Sequence, residues 1–210
     1  MASRHPKFEP RAVFINCPFD KLYKPIFDAI VFAIHDLGFV ARHALIDDSS
    51  PVRLERIVNE IQRAKYSVHD LSRVESSGVM KLPRFNMPFE AGLAYCVQAL
   101  DAPGRRHFLL LDAEPYRYQA SLSDAGGLDP KIHKNDPQEA IAAIRQFLST
   151  KSGQPRLPGA SQIGKRFVLF KSLLPRLLRE IPVSAAEIRS WDYVNLMQYL
   201  MATWIGQNPP

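Results

Sequence analysis

The sequence lacks several motifs that would assign a function directly. It contains no Gly-x-Gly-x-x-Gly, no Gly-Lys-Ser or Gly-Lys-Thr, and no Gly-x-Ser-x-Gly. These absences disfavour an ordinary dinucleotide-binding fold, a phosphate-binding loop and a Ser-His-Asp hydrolase. Only two cysteines occur, Cys17 and Cys96, and neither has a partner at metal-ligand spacing. We therefore predict no metal site, no cofactor and two buried thiols in a reducing compartment.

Long apolar runs are also missing. No stretch of about 18 apolar residues occurs, so we expect neither a signal peptide nor a membrane span. We expect a cytoplasmic location. The chain has 210 residues, 46% of them apolar, which is enough for one full core with an appendage. The net charge of +6 permits an acidic partner. The basic residues are spread along the chain, however, and this pattern does not predict nucleic-acid binding.

Short apolar runs alternate with amphipathic segments four times along the first 150 residues. Strands are predicted at residues 12–16, 39–45, 66–71 and 107–111, and a helix is predicted after each of them. This alternation predicts an α/β fold, a flavodoxin-like or Rossmann-like parallel sheet of four to five strands with helices on both faces. The aperiodic interval 113–135 is predicted to be a loop with one short strand.

The last sixty residues are predicted to form a helical extension. Residues 150–164 are rich in Pro, Gly and Ser and mark the boundary between an α/β domain, 1–150, and an extension, 151–210. Two helices are predicted, 165–180 and 185–205, and Ser184 and Glu187 have capping-box spacing at the start of the second. The apolar residues from Trp191 to Trp204 are too many for a simple surface helix. They predict packing on the domain or on a second copy, which would make a homodimer.

Carboxylates follow the predicted strands. In open parallel sheets, ligands bind beyond the carboxyl ends of the strands. The segments after the four strands contain Asp20, Asp47, Asp70 and Asp112. Such a cluster suits a transition metal poorly, and a magnesium site using Asp20, Asp47 or Asp70 would need a phosphate substrate to complete it. His35 and His69 are predicted to be packed or solvated rather than catalytic.

A further carboxylate, Glu90, is predicted to lie at the start of a helix. The stretch Pro83–Cys96 indicates a loop that becomes a helix, with Asn86 as the N-cap and Pro88 in the first turn. Glu90 would then lie at the helix mouth, near the other carboxylates. The alternative is that it is only a favourable first-turn residue at the positive end of the helix dipole. Isolated carboxylates suit cleavage at an anomeric carbon, where an ionised Glu stabilises or traps a cationic sugar.

Three segments carry a resemblance to a known family: Val13–Phe19, Ala64–Asp70 and Asn86–Ala94. Together they resemble the nucleoside 2-deoxyribosyltransferase-like superfamily and its relatives, the TIR-type NAD hydrolases, over about the first 112 residues. The resemblance implies that Glu90 is the catalytic carboxylate and that Asp70 orients the sugar or base. It also implies that the turn from Asn16 through Pro18, Phe19 and Asp20 lines the substrate pocket.

The sequence departs from the transferase pattern just before the Glu90 helix. Where the transferases have Asp-x-Gly-Thr, this chain has Arg84-Phe85-Asn86-Met87. The missing carboxylate favours hydrolysis of an N-glycosidic bond in a nucleotide or nucleoside, NAD included. The alternative is a non-catalytic nucleotide-binding or signalling module. Asp47, Arg84 and Asn86 complete the predicted substrate-binding set, with Arg84 either contacting a phosphate or exposed in a loop.

Overall fold

The computed structural model describes residues 6–45, 53–73, 85–117 and 128–210. By its internal contacts the chain divides into two compact units. The sheet unit comprises Met1–Pro18 and Val40–Ile132, and the helical unit comprises Phe19–Phe39 and His133–Pro210. The domain boundary predicted near residue 150 stays a prediction.

The sheet unit contains five parallel strands among its described residues. They are β1 Glu9–Asn16, β2 Val40–His43, β3 Ala64–Asp70, β4 His107–Asp112 and β5 Lys131–Ile132. Their order across the sheet is β2-β1-β3-β4-β5, which is the order of flavodoxin-like sheets. Every described pairing is parallel. The predicted α/β class is therefore confirmed, and the short strand expected within 113–135 is β5.

Two helices, α2 Arg53–Arg63 and α3 Asn86–Leu100, belong to the sheet unit and contact its strands. The β1 strand contains a continuous apolar run at residues 12–15, and its residues from Ala12 to Asn16 are buried, as expected for a strand enclosed on both faces. Ala12 and Phe14 pack in one cluster with Ile57 and Ile61 of α2. This packing fixes the end of β1, and with it the position of Asn16.

The helical unit contains α1 Lys24–Asp36, α4 Pro137–Ser152, α5 Ala160–Leu177 and α6 Val194–Gln207. At its centre the Phe32 ring lies 5.3 Å from Phe167, 5.7 Å from Phe170 and 6.0 Å from Trp204, measured between centroids. All four side chains are buried, and each contributes roughly 1.5 to 3 kcal/mol through its burial. The apolar face of α6 therefore packs within its own unit. A homodimer through the C-terminal helices stays a prediction.

Two helix ends are set by residues of the type expected there. Gly38 ends α1 with a positive φ of 78°, and its backbone N–H donates to the carbonyl of His35. Asp136 caps α4, because its Oδ1 accepts the backbone N–H of Gln138 at 2.8 Å. Both ends are fixed by interactions within a few residues of the chain, which is why the sequence predicts them.

The prediction of one helix over 185–205 is wrong for the first half of that range. The capping box forms, since Ser184 N donates to Glu187 and Glu187 N donates back to Ser184 Oγ. It starts only a 3-10 turn, Glu187–Arg189, and a second 3-10 turn, Trp191–Tyr193, precedes α6. Ser190 between the turns is extended, with ψ at 163°. The break allows the Trp191 indole N–H to donate to the Asp20 carbonyl at 3.0 Å.

The cysteine prediction is half correct. Cys17 follows β1 and is buried, but Cys96 on α3 is exposed. The residues around Cys96 are apolar, yet Tyr95 and Leu100 on the same helix are exposed as well. The α3 helix therefore has no clean apolar stripe from which the burial of one side chain could be inferred.

Candidate active site

Polar side chains collect at the carboxyl ends of the three central strands. Asn16 ends β1, Asp70 ends β3 and Asp112 ends β4, and all three are buried. The pairing of β1 with β3 sets Asn16 beside His69, and the pairing of β3 with β4 sets Asp70 beside Leu111. This is the edge at which open parallel sheets bind ligands.

Glu90 joins this edge from α3. It lies one turn into the helix and is only 5% exposed. The Asn16 side chain donates a hydrogen bond to its carboxylate. Burial raises the pKa of Glu90, while the charge of Arg53 and the bond from Asn16 oppose that rise. Glu90 is thus a buried carboxylate at the sheet edge, not a solvated residue on the flank of a helix.

The Asn16 amide also reaches His69. Asn16 Nδ2 lies 3.1 Å from His69 Nδ1, so one amide nitrogen can supply its two hydrogens to Glu90 and to the imidazole. His69 is fully buried, and burial lowers its pKa to about 3, so the ring is neutral at physiological pH. Its centroid lies 5.2 Å from Phe108 and 6.0 Å from Phe14. Among the described residues, its Nε2 has no hydrogen-bond partner.

Asp70 interacts with the neighbouring strand end. Its Oδ1 accepts the backbone N–H of Ser72 at 2.8 Å, which turns the chain directly after β3. Its charge also acts on Asp112, whose pKa is raised mainly by burial, lowered by Arg117, and raised further by Asp70. The Arg117 guanidinium donates to Asp112 Oδ1 at 2.8 Å and to the Leu71 carbonyl at 3.3 Å. Asp70 therefore belongs to a second polar group, formed with Asp112 and Arg117.

The predicted turn residues fall in different parts of the fold. Pro18 is buried directly after Cys17 in the sheet unit. Phe19 and Asp20 belong to the helical unit, where Phe19 packs edge-on against Trp191 at 5.2 Å between centroids. Asp20 Oδ1 accepts the backbone N–H groups of Leu22 and Tyr23, each at 3.0 Å. Both side chains thus hold the turn that leads into α1.

Two residues of the predicted set, Asp47 and Arg84, lie outside the described residues. A third, Asn86, is described, and its prediction as the N-cap of α3 is wrong. Asn86 is an exposed residue inside the first turn, and the cap position is held by Phe85 with no side-chain hydrogen bond. The helix starts one residue earlier than the Asn86 signal suggested, and the Phe85 side chain accepts no hydrogen bond from its first N–H groups.

Sequence reasoning missed two contributors to the site. Arg53 is the first residue of α2 and is exposed, and its charge acts on Glu90. The sequence predicts a helix after the second strand but carries no signal that Arg53 lies near Glu90. His69 was predicted to be packed or solvated, and it is indeed packed. Its contact with Asn16 follows from strand register, which the sequence does not specify.

Comparison with protein-family models, with curated proteins and with solved structures found no match. None of the described helices is long and apolar enough to cross a membrane. In the described part of the chain, no three His, Cys, Asp or Glu side chains are grouped so that they could hold a metal ion.

Proposed function

We propose that this protein cleaves an N-glycosidic bond in a nucleotide or nucleoside, with NAD as the leading candidate substrate and Glu90 as the catalytic carboxylate. The observation that carries the proposal is the burial of Glu90 at the sheet edge, held by the neutral amide of Asn16. A neutral donor orients the carboxylate without cancelling its charge. The resemblance of the three segments to deoxyribosyltransferases and TIR-type NAD hydrolases supports the same role.

The proposed reaction uses the charge of Glu90 directly. The bond between the sugar C1′ and the base nitrogen breaks, its electron pair leaves with the base, and C1′ becomes cationic. The ionised Glu90 stabilises this cation or bonds to it through a carboxylate oxygen, and water completes hydrolysis at the same carbon. In a buried site this electrostatic stabilisation is stronger than in water. Nicotinamide is cationic in NAD and leaves neutral, so it needs no proton, which favours NAD.

The surrounding residues receive supporting roles. Asn16 positions Glu90, and His69 positions Asn16 as a neutral acceptor. Arg53 is exposed, and its positive charge already acts on Glu90, so we assign it a contact with a substrate phosphate. Asp70 keeps the predicted role of orienting the sugar or base. The absence of an Asp-x-Gly-Thr element favours water over a second nucleobase as the acceptor.

The test compares Glu90→Gln with a matched control. The full-length protein is incubated with NAD and with a panel of nucleosides and nucleotides, and the released base is quantified by chromatography. We expect Glu90→Gln to lower turnover by at least about a thousandfold, because an amide carries no charge for the sugar cation. The control is Glu139→Gln, which changes an exposed first-turn glutamate of α4. If Glu90 were only a favourable residue at a helix start, the two variants would behave alike.

The second candidate function is a nucleotide-binding module without turnover, favoured by the missing Asp-x-Gly-Thr element. It predicts that a nucleotide raises the melting temperature of the protein while no base is released during long incubation. Glu90→Gln would then weaken this stabilisation without any change in product. Turnover by the wild-type protein that survives unchanged in Glu90→Gln would eliminate the catalytic role of this residue.

A further inference from the structure

The helical unit contains a pocket that the proposed function does not use. Its volume is about 350 Å³, within the range of small-molecule sites. Most of its apolar lining comes from α5 and α6, and the side chains concerned are all buried: Phe167, Phe170, Leu174, Met197 and Met201. Two of the five are methionines, whose unbranched side chains adapt to differently shaped apolar ligands.

The remaining lining is strongly cationic. Lys21, Lys171 and Arg189 are exposed and contribute to the wall of the pocket. Lys24 and Asp28 also line it, but they form an ion pair with each other. Lys24 is further engaged with the ring of Trp191, 5.5 Å from its centroid.

Three positive charges of the lining therefore stay available to a ligand, although the Lys171 ammonium also lies over the Phe167 ring, 5.2 Å from its centroid. Among the described residues, no carboxylate forms an ion pair with Lys21, Lys171 or Arg189. The charge of Lys171 does act on Asp28, whose single carboxylate already has Lys24 within 2.5 Å. Because Lys21 precedes α1, Lys171 lies on α5 and Arg189 lies in a 3-10 turn, three separate segments bring like charges to one cavity. An anion bound among the three side chains would reduce the repulsion between their charges.

We infer that this pocket binds a small amphipathic anion, in which a carboxylate or phosphate group is carried on an apolar body. The anionic group lies among Lys21, Lys171 and Arg189, and the apolar body lies against the phenylalanine, leucine and methionine side chains. A neutral apolar molecule would leave the cations without a counter-charge. An inorganic anion would leave the apolar surface in water. Only a ligand with both parts satisfies the whole lining.

The experiment is calorimetric titration of the full-length protein with four probes, each kept below its micelle-forming concentration. Decanoate and decyl phosphate carry the two candidate anionic groups on one alkyl chain. Decyl maltoside has the same chain without charge, and inorganic phosphate has the charge without the chain. We expect saturable binding of decanoate or decyl phosphate that is at least about tenfold tighter than that of either partial probe, and that weakens as salt is raised. The tighter of the two anions identifies the preferred head group.

A pair of double variants tests the residues. Lys171→Gln with Arg189→Gln removes two exposed charges from the pocket, and we expect roughly tenfold weaker binding of the alkyl anion. Lys151→Gln with Lys165→Gln removes the same charge from exposed positions outside this pocket and should leave binding unchanged. Equal affinity for decanoate and decyl maltoside, equal loss in both double variants, or no saturable binding of either alkyl anion would overturn the inference. The comparison of the four probes tests the inference with the wild-type protein alone.

Discussion

The ion pair between Arg166 of α5 and Asp36 of α1 provides the sharpest test of how the helical unit is held together. Arg166 Nε donates to both carboxylate oxygens of Asp36, at 2.9 and 3.1 Å. The same guanidinium donates to the carbonyls of Asn208 and Pro209 at the end of the chain. The Asp36 side chain has no exposed surface, and that of Arg166 is 15% exposed. We therefore choose Arg166→Met, which keeps the apolar stem and removes the charge.

The expected loss of stability follows from the burial of Asp36. Removing one partner of a buried ion pair leaves an uncompensated charge and costs about 3 to 5 kcal/mol. Arg166 retains some contact with water, so we expect the lower end, about 3 kcal/mol in the free energy of unfolding. For a chain of this length each kcal/mol changes the melting temperature by roughly 2 to 4 °C, which gives a decrease of about 6 to 12 °C.

The loss should depend on pH in a defined direction. Burial already raises the pKa of Asp36 above its ordinary value of 3.8, and the hydrogen bonds and charge of Arg166 oppose that rise. Without Arg166 the folded-state pKa rises further. When pH increases above 3.8, the unfolded chain releases the proton before the folded chain does, so the folded state loses stability. The loss of stability in Arg166→Met should therefore be small below pH 3.8 and should grow toward neutral pH.

Denaturant unfolding of both proteins across this pH range measures the effect. Arg179→Met, at an exposed position of the same unit, controls for the loss of a positive charge. In a second control, Asp36→Asn is combined with Arg166→Met, which removes the buried charge and should recover much of the stability lost at neutral pH. A defect below about 1 kcal/mol at neutral pH, or one equally large in acid, would refute the reasoning.

Two further predictions concern single hydrogen bonds. Asp136→Ala removes the cap that accepts from Gln138 and should lower the free energy of unfolding by about 1 kcal/mol, measured by denaturant unfolding against Asp136→Asn, which keeps the capping oxygen. Asn16→Ala removes the donor shared by Glu90 and His69, which raises the pKa of Glu90 further. Because the proposed reaction needs ionised Glu90, the acidic limb of the pH-rate profile should move to higher pH. If the acidic limb of the profile did not move, Asn16 would have no role in setting the ionisation of a catalytic Glu90.

The sequence predicts the sheet well because its signals are local. β1 and β4 each contain a continuous apolar run, residues 12–15 and 108–111, as a strand buried on both faces needs, whereas β3 alternates apolar residues with Lys65, Ser67 and His69. The prediction that carboxylates follow the parallel strands holds for Asp70 and Asp112, which end β3 and β4. Asp20 belongs to the helical unit, and Asp47 lies outside the described residues. What this rule cannot supply is register. The contact between Asn16 and His69 depends on how β1 and β3 align.

The errors occur where distant packing decides local structure. The capping-box pattern at Ser184 and Glu187 is real, and both hydrogen bonds form, yet the expected long helix does not follow. The Trp191 indole packs against Phe19 and Phe27, at 5.2 and 4.9 Å between centroids, and these partners are more than 160 residues away in sequence. A continuous helix from Ser184 would change the backbone at Trp191, on which the contacts of the indole with Phe19 and Phe27 depend. Tertiary packing here outweighs a local helix signal.

Glu90 also differs from three carboxylates whose ion-pair partners are described. Asp36 has Arg166 at 2.9 Å, Asp112 has Arg117 at 2.8 Å and Asp28 has Lys24 at 2.5 Å, so a cation directly balances each charge. Among the described residues, Glu90 has no ion-pair partner, only the neutral Asn16 amide and the longer-range charge of Arg53. An ion pair would stabilise the fold but would also neutralise the carboxylate that a cationic sugar requires. The incomplete compensation of Glu90 is therefore what the proposed chemistry demands, and it distinguishes this carboxylate from those three.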